Sequence, residues 1–272
     1  MMRPASRLAL SLIAMVTVSA APVPRLPRIV SINPCVDAVL MHVADPAQIA
    51  GISHYSQDPR ATSIPLTQAR RFRATSGTAE EVVALAPDIV LAGPHVAPAT
   101  IAALRRMRIE LVQFAVPDSV AESGAQVRDI ARLARHPARG AALVRRIEVA
   151  TRPAAEAPVP ALVWQLGGAV PGAETLTDEL LRRAGFRNMS AVYGLKKWDV
   201  LPLEYLVARP PRVLLSLGGD GSGSEGRTHP AMRRLARDIT IASYPTRLMN
   251  CGGPTIIAAM HRLREVRRSV GT

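Results

Sequence analysis

The sequence predicts an α/β fold built as two similar lobes, with a helix between them and a ligand cleft where they face each other. Three features carry this expectation. The first is the stretch Gly77-Thr-Ala-Glu80-Glu81-Val-Val-Ala-Leu-Ala-Pro87-Asp88-Ile-Val-Leu-Ala-Gly93, which reads as a short helix, a Pro-Asp turn and a buried strand. Val82, Val83 and Leu85 give the helix its apolar side, and Pro87 stops it. Ile89 to Ala92 is an unbroken apolar run, as expected of a parallel strand covered on both faces. The second is a return of the same pattern in Leu201-Pro-Leu-Glu204-Tyr-Leu-Val-Ala-Arg-Pro210-Pro-Arg-Val213-Leu-Leu-Ser216. The third is a helical run at residues 137–151, followed by the Pro/Ala-rich linker of residues 153–160, after which strand and helix signals begin afresh.

The elements follow in order. Residues 28–32 read as the first strand, ended by Asn33-Pro34, and residues 36–43 as a helix. Residues 48–52 give a second strand, with the polar stretch His54-Tyr55-Ser-Gln-Asp58-Pro59 at its carboxyl end, where ligands gather in open α/β sheets. Residues 60–76 are irregular and basic. After the helix-strand unit come a helix at 98–107, a strand at 110–114 and a helix at 119–135 that His136-Pro137 interrupts. Beyond the linker, strands are expected at 160–166, 213–217 and 246–249, and helices at 178–184, 229–237 and 255–268. The resulting division is a leader at 1–22, a first lobe at 23–135, an interlobe helix and linker at 136–156, and a second lobe with its closing helix at 157–272.

Composition narrows the function. The chain has 272 residues, 48% of them hydrophobic, and its mean hydropathy of +0.14 excludes a disordered polymer. It carries 34 Lys and Arg against 21 Asp and Glu, and every basic residue except Lys196 and Lys197 is Arg. The Arg pairs are scattered over many helices and aromatic residues are only 3%, so the concentrated footprint of a nucleic-acid binder is absent. Residues 1–22 have the form of a secretory signal: Arg3 and Arg7, an apolar segment at 8–18, then small residues up to Ala21. The apolar segment is too short to span a bilayer. Removing it takes away two Arg, leaving 32 − 21 = +11, and export would place Cys35 and Cys251 in an oxidising compartment.

Catalytic signatures are missing. There is no Gly-x-Ser-x-Gly elbow, no His-Glu-x-x-His and no Cys-x-x-Cys. The glycine-rich segment at 218–226 lacks the Lys-Ser/Thr of a phosphate-binding loop and reads as a surface loop. No resident metal or cofactor is expected. A periplasmic enzyme built on His54, His95 and the cysteines is the alternative from a different class, because His54 and His95 both follow first-lobe strands.

The paired Glu-helix-Pro-strand units resemble the metal-chelate class of periplasmic substrate-binding proteins, which serve ABC importers for vitamin B12, ferric siderophores and haem. The resemblance implies a rigid helix at 137–151 joining the lobes. About 15 residues at 1.5 Å each would span ~22 Å, and such a connector would resist wide hinge closure. It also implies that Glu80 and Glu204 dock to Arg on the membrane permease, a fixed-span fork whose charges set orientation and on-rate. Tyr55 and Trp198 match ligand-packing positions of the vitamin B12 members, whereas Ala74 and Gly93 stand where those members carry ring-facing Trp. The implied role is a monomeric periplasmic carrier of a metal chelate, cobalamin or a related corrinoid, with a ferric siderophore or haem as the alternative. Cys35, His54 and His95 are further candidate ligand contacts. Cys35 and Cys251 each follow a strand and open a helix, so they either bridge the lobes or stand free at the cleft rim.

Overall fold

A computed structural model describes residues 25–216 and 237–271. The expected leader, the glycine-rich segment and nearly all of the helix expected at 229–237 lie outside the described residues. The first lobe runs β1 (Ile29–Ser31), α1 (Pro34–Val43), β2 (Ile49–Ser53), α2 (Leu66–Ala69), β3 (Ala74–Thr75), α3 (Ala79–Ala84), β4 (Ile89–Ala92), α4 (Pro98–Arg106), β5 (Glu110–Gln113) and α5 (Val120–Leu133). Then comes α6 (Pro137–Ala150). The second lobe runs β6 (Val159–Trp164), β7 (Ala169–Pro171), α7 (Leu176–Arg183), β8 (Phe186–Asn188), α8 (Met189–Val192), β9 (Trp198–Val200), α9 (Leu203–Ala208), β10 (Val213–Ser216), β11 (Thr240–Ser243) and α10 (Thr255–Ser269).

The fold is α/β, with one parallel sheet in each lobe. The first sheet has the order β3-β2-β1-β4-β5 and the second β11-β10-β6-β8; β7 and β9 form a separate antiparallel ribbon. The central strands are mostly apolar because helices cover both faces: Ile29, Val30 and Ile89 to Ala92 are buried in one sheet, Ala161 to Val163 and Val213 to Leu215 in the other. Local chemistry sets the helix starts. The side chains of Asn33, Thr78, Ser119 and Thr175 each cap a first turn, at α1, α3, α5 and α7.

Helix α6 packs on α1 and α5 on one side and on α10 on the other, so it touches both lobes. Its start is fixed by a polar knot. Arg139 donates to Asp45 at 2.7 Å, and His136 Nε2 lies 3.0 Å from Gln48 Oε1, while Gln48 donates to the Ala134 carbonyl. The Arg139 guanidinium holds the Asp45 carboxyl below the usual carboxylate range. The join is broader than one helix. A single apolar core runs through Ile29, Val39, Ile130, Ile147, Leu181 and Met260, taking in both sheets and the helices between them.

Two readings of the sequence need correction. Residues 60–76 are not wholly irregular, since α2 and β3 lie there. The strand expected at 246–249 is a 3-10 turn at Thr246–Leu248, and the edge strand of the second sheet is β11, pairing with β10 from Val213↔Thr240 to Ser216↔Ser243. Pro245 explains the shift: it has no N–H to give a ladder and suits the start of a helical turn.

Candidate functional site

The site lies at the carboxyl ends of the strands. In the first sheet the chain leaves β1 for β2 on one side and later reaches β4 on the other, so β1 and β4 flank a topological switch point. Asn33 follows β1 and Pro94 follows β4, and both line a cavity of about 780 Å³ counted with its open mouth. Residues 114–118 after β5 form another wall. Gln126 fixes them by donating to the Ala115 carbonyl at 2.8 Å, and Gln113 ties the adjacent loop by donating to the Gly93 carbonyl at 3.1 Å. The second lobe contributes Thr175 to Thr177 at the start of α7, Trp198 and residues 249–253. Both lobes therefore build one cleft.

Its walls are largely apolar: Val36, Phe114, Val116, Trp198, Met249 and the Cys35–Cys251 disulfide. The two cysteines are bonded, with Cα atoms 5.1 Å apart, and join the first helix of one lobe to the loop before α10 of the other. Trp198 begins β9, whose pairing with Pro171 on β7 places the indole beside the cleft, half exposed. Next to it Lys197 reaches across to Asp118 at 2.7 Å, and that hydrogen bond raises the ammonium pKa. Neither His nor Tyr is among the residues lining the cavity. Among the described residues no group of three or more His, Cys, Asp or Glu is placed to hold a metal ion.

The expected site residues separate into groups. Trp198 and Cys35 line the cleft, as does Cys251. His54 and Tyr55 do not line it. They lie in a 3-10 turn (His54–Gln57) at the carboxyl end of β2, their rings tilted 35° to each other with centroids 4.0 Å apart, and His54 Nδ1 donates to the Thr75 carbonyl. His95 is exposed one residue beyond the cavity-lining Pro94. A Cβ at Gly93 would come 2.3 Å from Asn33 Nδ2, so a larger residue there would have to displace the side chain that caps α1. Phe114, Pro117 and Met249 escaped the sequence reading; the only available signal was that each closely follows a strand or turn.

Glu80 and Glu204 occupy matching places in the first turns of α3 and α9, both exposed. Their neighbour Glu81 is engaged: its carboxylate accepts from the Ser76 amide and the Thr75 hydroxyl, which together hold its pKa down. No described residue pairs with Glu80 or Glu204.

The family model "Periplasmic binding protein" matches residues 29–241. A cobalamin-binding protein of Halobacterium salinarum is 26% identical over 258 residues, covering 87% of this chain and 68% of its own. Among solved structures, the periplasmic heme-binding protein RhuT from Roseiflexus sp. RS-1 in apo form superposes with a TM-score of 0.67 at 21% identity, covering 90% of this chain and 98% of its own. The periplasmic vitamin B12 binding protein BtuF of Vibrio cholerae gives 0.69 at 15% identity, covering 91% and 99%.

Proposed function

This chain belongs to the periplasmic binding protein family, and from that premise we propose that it captures a corrinoid in its interlobe cleft and delivers it to the permease of an ABC importer. The observation that carries the choice of ligand is the wall of the cleft. Trp198 and Phe114 offer aromatic surface to a large, partly apolar ring. Haem iron is held in proteins by a side chain such as His, Tyr, Cys or Met, and of these the described lining offers only Met249, its cysteines being bonded to each other. A corrinoid, whose cobalt can carry its own axial ligands, suits such a wall better. His54, Tyr55 and His95 stand beyond the cavity at the same edge of the sheet, where they would meet the peripheral groups of a large chelate and not its metal. The protein acts as a binder and not an enzyme in this reading, in the periplasm, after export by the leader at residues 1–22.

The test is a titration of the purified protein with aquocobalamin, haemin and a ferric hydroxamate siderophore, followed by Trp emission. Aquocobalamin should quench it saturably, and Trp198→Phe should remove most of the change, since Trp164 is the only other Trp and sits half-buried in β6. Tighter binding of haemin than of aquocobalamin would replace the corrinoid reading with the haem one.

A further inference from the structure

The two sides of the cleft are closed by interactions of different kinds. On one side the second lobe is pressed into the first. The Cys35–Cys251 disulfide crosses between them. Two residues later the Gly253 amide donates to the buried Ser123 hydroxyl of α5 at 2.7 Å. A Cβ at Gly252 would fall 2.6 Å from Ser123 Oγ and 3.0 Å from Pro117 Cγ. Gly253 takes a φ of +59°, and a Cβ there would lie 2.8 Å from a Val39 methyl. The backbone at 252–253 thus approaches α1 and α5 as closely as two glycines allow. On the other side the Val120 amide donates to the Glu179 carboxylate of α7 at 2.7 Å, and beside Trp198 the lobes are linked by Lys197 and Asp118, both about half exposed. A solvated ion pair of that kind exchanges readily and is weakened by salt.

We propose that the Cys35–Cys251 disulfide fixes the aperture of the cleft and thereby acts as a determinant of ligand selection. The lobes cannot part on the disulfide side, so a ligand enters between Trp198 and the segment 114–118, where the exposed Lys197–Asp118 link gives way. A fixed gap admits a chelate of one thickness and disfavours thinner or bulkier ligands to which a hinge would adjust. The inference rests on the reading of the cleft as a binding site, but its central claim concerns the motion of the lobes and is measurable without ligand.

Hydrogen–deuterium exchange on the oxidised protein tests it first. Amides at 249–256 should exchange at least ten-fold more slowly than those at 195–200; equal rates would overturn the proposal. The same measurement on the Cys35→Ser/Cys251→Ser variant, and on native protein reduced with a phosphine and retaining its far-ultraviolet circular dichroism, should show 249–256 accelerated ten-fold or more. Unchanged exchange in folded, reduced protein would likewise overturn it. Aquocobalamin and haemin are then bound to oxidised and reduced protein. The ratio of their affinities should shrink at least five-fold on reduction, and a constant ratio would sink the role in selection. Failure of every chelate to bind the oxidised protein would refute the binding reading, while the exchange rates would still decide whether the disulfide fixes the lobes.

Discussion

Asp37 is fully buried in α1, immediately after the cleft-lining Cys35 and Val36. Its Oδ2 accepts from the Ser53 amide at 2.9 Å and the Ser56 hydroxyl at 2.6 Å, pinning the turn that carries His54 and Tyr55, while Oδ1 has no hydrogen-bond partner among the described residues. Burial raises its pKa from 3.8 to about 7, against the lowering effect of its hydroxyl and amide donors. The folded state therefore holds this proton over a range in which the unfolded chain has lost it. Where the native state binds more protons, stability falls as pH rises. The loss runs from near pH 4 to near pH 7 and levels off above, and at about 1.4 kcal/mol per unit it amounts to about 4 kcal/mol at most. Asp37→Asn keeps an oxygen for Ser53 and Ser56 and cannot ionise. Urea unfolding should show it close to wild type at pH 4 and progressively more stable than wild type up to pH 7.5. A difference independent of pH would show that Asp37 is not the group responsible. The pairs that act in the opposite sense, such as Asp45 with Arg139 and Asp88 with the Arg28 amide, have lowered pKa values and lose their contribution only at more acidic pH.

At the scale of elements, α5 and α6 lie antiparallel and meet at Gly140, where a Cβ would stand 2.4 Å from Ala131 Cβ and 3.4 Å from the Val127 carbonyl. Gly140→Ala would ordinarily help a helix by about 0.5–1 kcal/mol. Here the added methyl must push the two helices apart, and overpacking of this kind costs about 1–3 kcal/mol. The substitution should therefore lower stability by about 1–2 kcal/mol in urea unfolding at fixed m-value, whereas a gain would show that α6 moves freely on α5. The helices and central strands were legible from sequence because their signals are local: Asn33-Pro34 at the start of α1, Ser119 before α5, Pro137 opening α6, and unbroken apolar runs in β4 and β10. The ribbon of β7 and β9 was not, because its strands are only three residues long, β9 is exposed, β7 ends in Pro171, and each is defined only by the other. Strand β11 was missed for a similar reason. Its exposed Thr240 and half-buried Ile241, Ala242 and Ser243 become a strand only beside β10.

At the scale of the whole molecule, legibility divides between repetition and convergence. The repeated Glu-helix-Pro-strand units announced two lobes because a duplicated pattern survives without any knowledge of contacts. Trp198 was found through the same likeness, but Phe114, Pro117 and Met249 reach the cleft only because three loops from two sheets come together, and no local pattern encodes that meeting. The duplication also places Glu80 and Glu204 at equivalent first turns, exposed and without a described partner, on a chain whose formal charge is +13. On so basic a surface an isolated acid has Arg side chains in plenty to pair with, and Glu81, Glu122 and Glu179 are each engaged by a nearby amide or Arg. If the disulfide, with the shared core and α6, fixes the lobe separation as proposed, two such carboxylates would form a fork of fixed span suited to two cationic pockets on a permease. Charge pairs at an interface act mainly on encounter and register. Glu80→Ala/Glu204→Ala should accordingly leave ligand affinity within about two-fold of wild type and reduce chelate uptake through the reconstituted importer at least ten-fold. Each single variant should fall between, with losses that shrink as ionic strength is raised because screening already weakens the wild-type pairs. Uptake at the wild-type rate in the double variant would remove both residues from docking. An equal loss in ligand binding would instead move them into the cleft's own support.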